Sequence, residues 1–151
     1  MNIEDEVKST HPYSLAKKVK LNLLFTRNIL VEHFQEILKP FDLSDEQFNV
    51  LRILRGQKGK PINMSSIQER MLTKNSNTTR LIDKLIDKEM VVRKICPKNR
   101  RKMEITITEK GLSVLTKLDP MVDNHLQTFS EKLTEKELET LNILLEKLRT
   151  E

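Results

Sequence analysis

Residues 62–108 read Ile62-NMSSIQERMLTKNSNTTRLIDKLIDKEMVVRKICPKNRRKMEITI-Thr108, and this stretch decides the fold. Asn63 can cap a short helix from Met64 to Met71. Leu72–Lys74 then form a turn, and a second helix follows from about Asn75 to Lys88. In that helix Thr78, Leu81, Ile82 and Leu85 stand at i, i+3, i+4 and i+7, the spacing of one buried stripe. Ser76, Asn77, Thr79, Arg80, Asp83 and Lys84 are left facing outward or sideways. The β-branched Val91, Val92 and Ile95 open a strand, and Met103, Ile105 and Ile107 alternate with Glu104, Thr106 and Thr108 in a second. Between them Cys96–Arg101 is expected to form a loop longer than a two-residue hairpin, with Pro97 and Asn99 as turn residues. Two short helices, a tight turn and a basic hairpin are the spacing of a helix-turn-helix followed by a wing.

The charge of the chain is concentrated in this stretch. The 151 residues carry a net charge of +5. From Lys60 to Lys102 there are twelve Lys and Arg against four Asp and Glu, a surplus of +8, so the rest of the chain carries −3. Six of the basic residues fall between Arg93 and Lys102, where there is no acid. A located surplus of this kind is the footprint of a polyanion-binding surface.

Outward from the stretch the chain is helical. Apolar residues recur at helical spacing from Pro12 to about Leu38 (Leu15, Val19, Leu23, Leu24, Ile29, Leu30, Phe34, Ile37), and Pro40 ends that helix. A helix of about 26 residues needs a surface on which to bury its apolar face. Ser44 with Gln47 makes a capping box, and Leu43 with Phe48 a hydrophobic staple, at the start of a second helix that fades at Gly56. A short strand is expected near Ile62. On the other side, Thr108 can cap a helix through Leu112, Leu115 and Leu118, which Pro120 is expected to kink or restart. Thr134 and Glu137 form another capping box, opening a terminal helix with Leu138, Leu141, Ile143, Leu144, Leu145 and Leu148. Residues Met1–Thr10 are polar and aperiodic, and fraying is expected there.

Several functional classes find no footing. The three histidines are scattered, without the spacing of a metal site, and no nucleophile elbow, phosphate-cradling glycine loop or H-E-x-x-H motif is present, so neither enzyme chemistry nor a cofactor is expected. The N-terminus has no apolar signal region and no apolar run approaches the ~20 residues of a membrane span, so a cytoplasmic protein with no membrane partner is expected. The single cysteine, Cys96, rules out an intramolecular disulfide. Its basic neighbourhood leaves a redox-responsive regulator as one alternative, and a winged-helix module binding protein or RNA without sequence preference is another.

With these residues placed, the chain resembles the MarR family of transcriptional regulators along nearly its whole length. The resemblance rests on Leu43-Ser44-x-x-Gln47-Phe48-x-Val50-Leu51, on Thr79-Arg80-Leu81-Ile82-Asp83-Lys84-Leu85, and on Asn99-Arg100-Arg101 with Ile105-Thr106-Ile107-Thr108-Glu109-Lys110-Gly111. It implies a mainly α fold with a small β-hairpin wing, a winged helix-turn-helix at 40–108 and dimerisation helices at 12–39 and 109–151. It also implies a homodimer on double-stranded DNA, typically a repressor, that a small aromatic or other small-molecule effector releases. One departure is visible: the family commonly carries an acid where Asn99 stands, paired with a wing arginine.

The candidate site residues follow from what a reading head needs. The N-terminal end of a recognition helix enters the major groove and needs short polar side chains. Lys74, Asn75, Ser76, Asn77, Thr79 and Arg80 supply them, Asn being suited to adenine and Arg to guanine, although Asn75 and Ser76 also suit simple capping. At the wing, Arg100 and Arg101 suit a minor groove and Lys98 a phosphate, with Arg101 standing at the position of the family's wing arginine. Ser65 can bond a phosphate or act as a cap. Leu24, Arg27, Phe48 and Leu51 lie in segments that can line an effector cleft, Arg27 facing an anionic group, or can simply be interhelical core.

Overall fold

In the computed structural model, which describes residues 1–150, local capping chemistry sets the helix starts. Ser44 accepts from the Gln47 N–H and Gln47 bonds back to the Ser44 N–H, closing the expected capping box of α3 (Asp45–Gly56). Asn63 caps α4 (Met64–Arg70), Thr108 caps α6 (Glu109–Ser130), and Thr134 with Glu137 boxes α7 (Glu135–Arg149). Ahead of them stand a one-turn helix α1 (Ile3–Glu6) and the long α2 (Leu15–Leu38). The sheet is an antiparallel pair, β1 (Val91–Cys96) and β2 (Asn99–Ile107), preceded by α5 (Thr78–Asp87).

One core binds α3, α4, α5, the base of the sheet and the first half of α6. Val50, Leu51, Ile67, Ile82, Leu85, Ile105, Leu115 and Leu118 are fully buried in it, and Leu38 brings in the end of α2. Ile62 exchanges both backbone hydrogen bonds with Ile105 and forms the expected short strand contact. This mainly helical fold with a hairpin wing agrees with the expected fold class. The frame outside the core is different: α7 has no buried residue, and the N-terminal half of α2 exposes Leu15, Val19, Leu23 and Leu24.

Five boundary expectations are corrected. The recognition helix begins at Thr78 and not near Asn75, because Asn77 takes the cap position and the Thr78 hydroxyl is buried on Gln68. Met71 leaves α4 in extended conformation, which puts its side chain into the core. The first long helix begins at Leu15 behind a Ser14 cap rather than at Pro12. The segment Met1–Thr10 is not frayed throughout: Ile3 is buried, and Glu4 accepts from the Tyr13 N–H and pairs with Lys18 at 2.7 Å. Finally α6 runs unbroken through Pro120. Proline costs a helix interior about 3 kcal/mol by removing one N–H and crowding the preceding turn. Here Leu115, Leu118 and Val122 anchor the helix on both sides of it. Glu151, the last residue of the expected second dimerisation segment, lies outside the described residues.

Candidate nucleic-acid interface

The head presents its polar residues from a short, braced turn. Met71 is buried, and the Leu72 N–H donates to Asn49 Oδ1 of α3 at 2.9 Å. Gln68 spans the turn: its amide donates to the Lys74 carbonyl, and its side-chain oxygen accepts from Thr78. The turn is therefore tied to α3, α4 and α5 at once, and Asn75 to Arg80 project from a fixed base. Asn49 and Gln68 were not among the candidate residues. Neither carries a sequence signal, since each acts through a partner outside its own helical turn.

Within this turn the candidates have distinct states. Lys74 folds its ammonium back onto the Glu69 carbonyl at 2.6 Å. The Ser76 hydroxyl donates to the Thr73 carbonyl at 2.7 Å and is half-buried, so its part is to hold the turn. Asn75, Thr79 and Arg80 are exposed, and their side chains make no hydrogen bond among the described residues. Asn77 Oδ1 accepts from the Arg80 N–H at 3.1 Å. That bond takes one of the two lone pairs of Oδ1, and the NH₂ group makes no hydrogen bond among the described residues. While the cap holds, bidentate pairing of Asn77 with an adenine would have to share Oδ1 with the Arg80 N–H. Ser65 is exposed on α4, but its hydroxyl donates to Asn63 Oδ1 at 2.8 Å, and the capping falls to Asn63.

The wing corrects the expected long tip. The turn itself is the two residues Pro97 and Lys98, and the ladder extends to Cys96 opposite Asn99. The next pair is Ile95 with Met103, so Arg100, Arg101 and Lys102 have no cross-strand partner. The extra length resides in this bulge, a device that re-aims side chains away from the ladder. All three cations are exposed, as is Lys98. Asn99 Oδ1 accepts from the backbone N–H of Arg101 at 3.0 Å, so it shapes the chain at Arg101 instead of holding its guanidinium. Cys96 is half-buried as a free thiol.

Wing and recognition helix are joined by an ion pair. Arg93 of β1 meets Asp83 of α5 at 2.9 Å. One of the six wing cations is thus compensated within the chain, and Asp83 is spent on holding the hairpin to the helix. Arg80, Lys98, Arg100 and Arg101 make no ion pair among the described residues. An uncompensated row of this kind attracts phosphates, and each neutralised phosphate releases counterions.

The candidate effector residues do not gather into one cavity. Phe48 and Leu51 are buried in the core, Leu24 is half-exposed, and Arg27 is exposed and bonded to Asn28. Two open surface concavities lie elsewhere, one along Leu133–Leu144 and one between Ile86 and the wing strand at Val91–Lys94, and neither includes any of the four. Phe34 of α2 packs edge-on to Phe48 at 5.2 Å between centroids and lies 5.6 Å from the His125 ring of α6. Asp45, at the start of α3, buries Oδ1 without a partner. Burial raises its carboxyl above the ordinary value, outweighing the opposing influence of nearby Gln35 and the attraction of Arg27. Among the described residues there is no group of side chains able to hold a metal ion, and no helix is long and apolar enough to cross a membrane.

Comparison with known proteins gives a consistent set. A MarR family profile matches residues 43–103. A MarR transcription factor from Planctomyces limnophilus is 32% identical, with a TM-score of 0.69, over 90% of this chain and 98% of that one. The HTH-type transcriptional regulator MhqR of Bacillus subtilis strain 168 is 27% identical over 134 residues, 87% of this chain and 91% of MhqR. Bordetella bronchiseptica BpsR, whose structure concerns regulation of its DNA binding by 6-hydroxynicotinic acid, superposes with a TM-score of 0.80 at 22% identity, over 93% of this chain and 99% of that one.

Proposed function

The chain belongs to the MarR family and is a DNA-binding transcriptional regulator, not an enzyme, and from that premise we propose that it acts as a homodimeric repressor on a pseudo-palindromic operator. The observation that carries this reading is a combination. The head leaves Arg80, Lys98, Arg100 and Arg101 without an ion pair among the described residues, while the helices around it leave apolar rows uncovered: Leu15, Val19 and Leu23 on α2, Leu126 and Phe129 on α6, Ile143, Leu144 and Leu148 on α7. A second copy is the cover that fits rows on the chain's own terminal helices, with 12–39 and 109–151 as dimerisation segments and 40–108 as the DNA-binding region. A two-fold dimer places two heads on half-sites about one helical turn, ~34–36 Å, apart.

In this reading Asn75, Asn77, Thr79 and Arg80 face base edges. Lys98, Arg100 and Arg101 take the wing to an adjacent minor groove or its phosphates, Lys74 and Ser76 support the turn, and Ser65 holds the Asn63 cap of α4. A small-molecule effector acts by favouring a head separation that cannot span both half-sites. The regulation of DNA binding described for BpsR supports that element. Phe48 and Leu51 take part only where α2 and α3 part from each other, whereas Arg27 is already accessible to an anionic group.

The test is duplex binding by fluorescence anisotropy, comparing DNA from upstream of the coding sequence with a scrambled duplex at physiological salt, together with solution mass. Sequence preference and the mass of a dimer are expected, with affinity falling ~10³–10⁵-fold between 50 and 200 mM salt for about 6–10 phosphate contacts. A monomer, or equal binding to both duplexes, refutes the reading.

A further inference from the structure

The inner face of the wing stays apolar beyond the point where the core ends. Strand alternation puts Val91, Arg93 and Ile95 of β1 on one face, with Ile107, Ile105 and Met103 of β2 directly opposite them. This face looks toward the head: Val91 and Ile105 are buried in the core, and Arg93 reaches Asp83 of α5. One step further out, Ile95 and Met103 form the last cross-strand pair before the bulge, and they are 59% and 40% exposed. The neighbouring pair on the outer face is charged, Lys94 opposite Glu104. The hairpin is therefore amphipathic past the end of its own core. Apolar residues scattered singly on a surface are ordinary. Ile95 and Met103 are instead directly opposed and continue the core stripe. Cations enclose them: Arg100, Arg101 and Lys102 follow in the bulge without cross-strand partners, and Arg80 stands on α5 three residues before Asp83 without an ion pair among the described residues.

We propose that Ile95 and Met103 pack on the deoxyribose wall of the DNA strand that passes between the recognition helix and the wing. This deepens the DNA-binding reading above and rests on it. With α5 in a major groove and the wing at the adjacent minor groove, one sugar–phosphate strand runs between them. Along such a strand charged phosphates alternate with the apolar C–H faces of the sugars. The protein presents a matching order: an unpaired arginine on α5, an apolar pair, and then three cations without cross-strand partners. Met103 and Arg101 lie within about 7 Å of each other along β2, at ~3.4 Å per residue, so a sugar and a phosphate of neighbouring nucleotides can be met at once. A protein partner seated here would need acids to answer the cations, whereas a nucleic-acid strand brings negative charge and apolar edge together. Sugars are alike at every step, so the contact adds affinity without reading sequence. It also displaces no counterion, which separates it from the contribution of Arg101.

The experiment uses the full chain and two near-isosteric pairs of variants that differ in polarity, Ile95→Val with Ile95→Thr and Met103→Leu with Met103→Gln. Both members at position 95 are β-branched and suit a strand. Binding is measured by fluorescence anisotropy across a salt series, on duplexes that share the selected half-sites and differ in the flanking base pairs. Thr is expected to bind about four- to fifteenfold more weakly than Val per wing engaged, and Gln more weakly than Leu by the same factor, the worth of one to two methylene groups taken from water. The slope of log K against log salt is expected to match wild type, and the loss to be the same for every flank. Equal affinity within each pair overturns the proposal. A changed salt slope, or faster hydrogen exchange of the amides from Arg93 to Glu104, also overturns it, since the hairpin would then have lost its shape and displaced its cations. A loss confined to one flanking base identifies a base contact in place of a sugar contact, and a change in solution mass identifies a protein interface; each overturns it. Wild type that binds selected and scrambled duplexes equally removes the DNA-binding reading itself.

Discussion

Replacing Gly111 by alanine should destabilise the protein although alanine is the better helix former. Gly111 lies in the first turn of α6, where that helix crosses the junction of the recognition helix and the wing. A Cβ there would stand 2.5 Å from the Met90 carbonyl oxygen and 2.6 Å from Ile107 Cγ1. Favourable carbon contacts lie near 3.5–4.0 Å, so the overlap is about 1 Å on two sides. Ile107 can rotate, but Met90 O is held, because it accepts from the Thr108 N–H at 3.0 Å. Sliding α6 outward is also resisted, since the Gly111 N–H is itself bonded to the Thr108 hydroxyl at 3.2 Å. Overpacking costs about 1–3 kcal/mol, and disturbance of the cap adds up to ~1 kcal/mol. The gain in helix propensity is at most ~1 kcal/mol. A net loss of about 2 kcal/mol results, equivalent to a fall in Tm of about 4–8 °C for a chain of this size. Gly56 is the internal control: it ends α3 with nothing within 4 Å of a built Cβ and no positive φ. Gly56→Ala should be neutral or stabilising by up to ~1 kcal/mol. Thermal melts followed by circular dichroism measure both, and a Gly111→Ala variant melting at or above wild type refutes the packing argument.

Four other outcomes are expected. Arg101→Ala should weaken binding to every duplex and reduce the slope of log K against log salt by about 0.9, one phosphate's worth. By contrast, Arg80→Ala should alter base preference at a defined position by about 1–3 kcal/mol; identical salt slopes for Arg101→Ala and wild type would take the wing out of the interface. Removing the Asn49 side chain releases the Leu72 N–H, so Asn49→Ala should speed hydrogen exchange at that amide, and unchanged exchange would show that the turn is braced otherwise. The Asp45 carboxyl is raised in the fold, so the stability it contributes is full below the unfolded value of about 3.9 and declines as pH rises through the folded one. Asp45→Asn should therefore gain stability relative to wild type between acid and neutral pH in urea titrations, and a pH-independent difference would contradict the burial of Oδ1.

What was legible in the sequence was mostly local. The cap residues Ser44, Asn63, Thr108 and Thr134 could be named because a cap and the N–H it serves are two or three residues apart. The buried stripe Thr78, Ile82 and Leu85 was likewise visible as a period. The start of the recognition helix was not, because Lys74, Asn75, Ser76 and Asn77 are all compatible with turn or cap, and the choice is made by Gln68, which buries the Thr78 hydroxyl from another helix. The wing bulge was hidden for a similar reason. Strand register is settled between residues on two strands, and nothing within Asn99–Lys102 alone says that three of its residues lack partners. The pairs Arg93 with Asp83 and Arg55 with Asp119 are contacts of tertiary structure, and a charge count records their members without joining them.

The terminal helix carries a consequence of its own. Its fifteen residues bury no side chain completely within the chain, and an isolated helix of that length is marginal in water. In the proposed homodimer its persistence comes from mass action. With a second copy as its cover, folding of the carboxy-terminal segment becomes second order in protein, and dilution alone should melt α7 while the head, with its closed core, stays folded. The abundance of the protein in a cell then sets how much of each molecule is structured, so its copy number becomes part of its folding equilibrium.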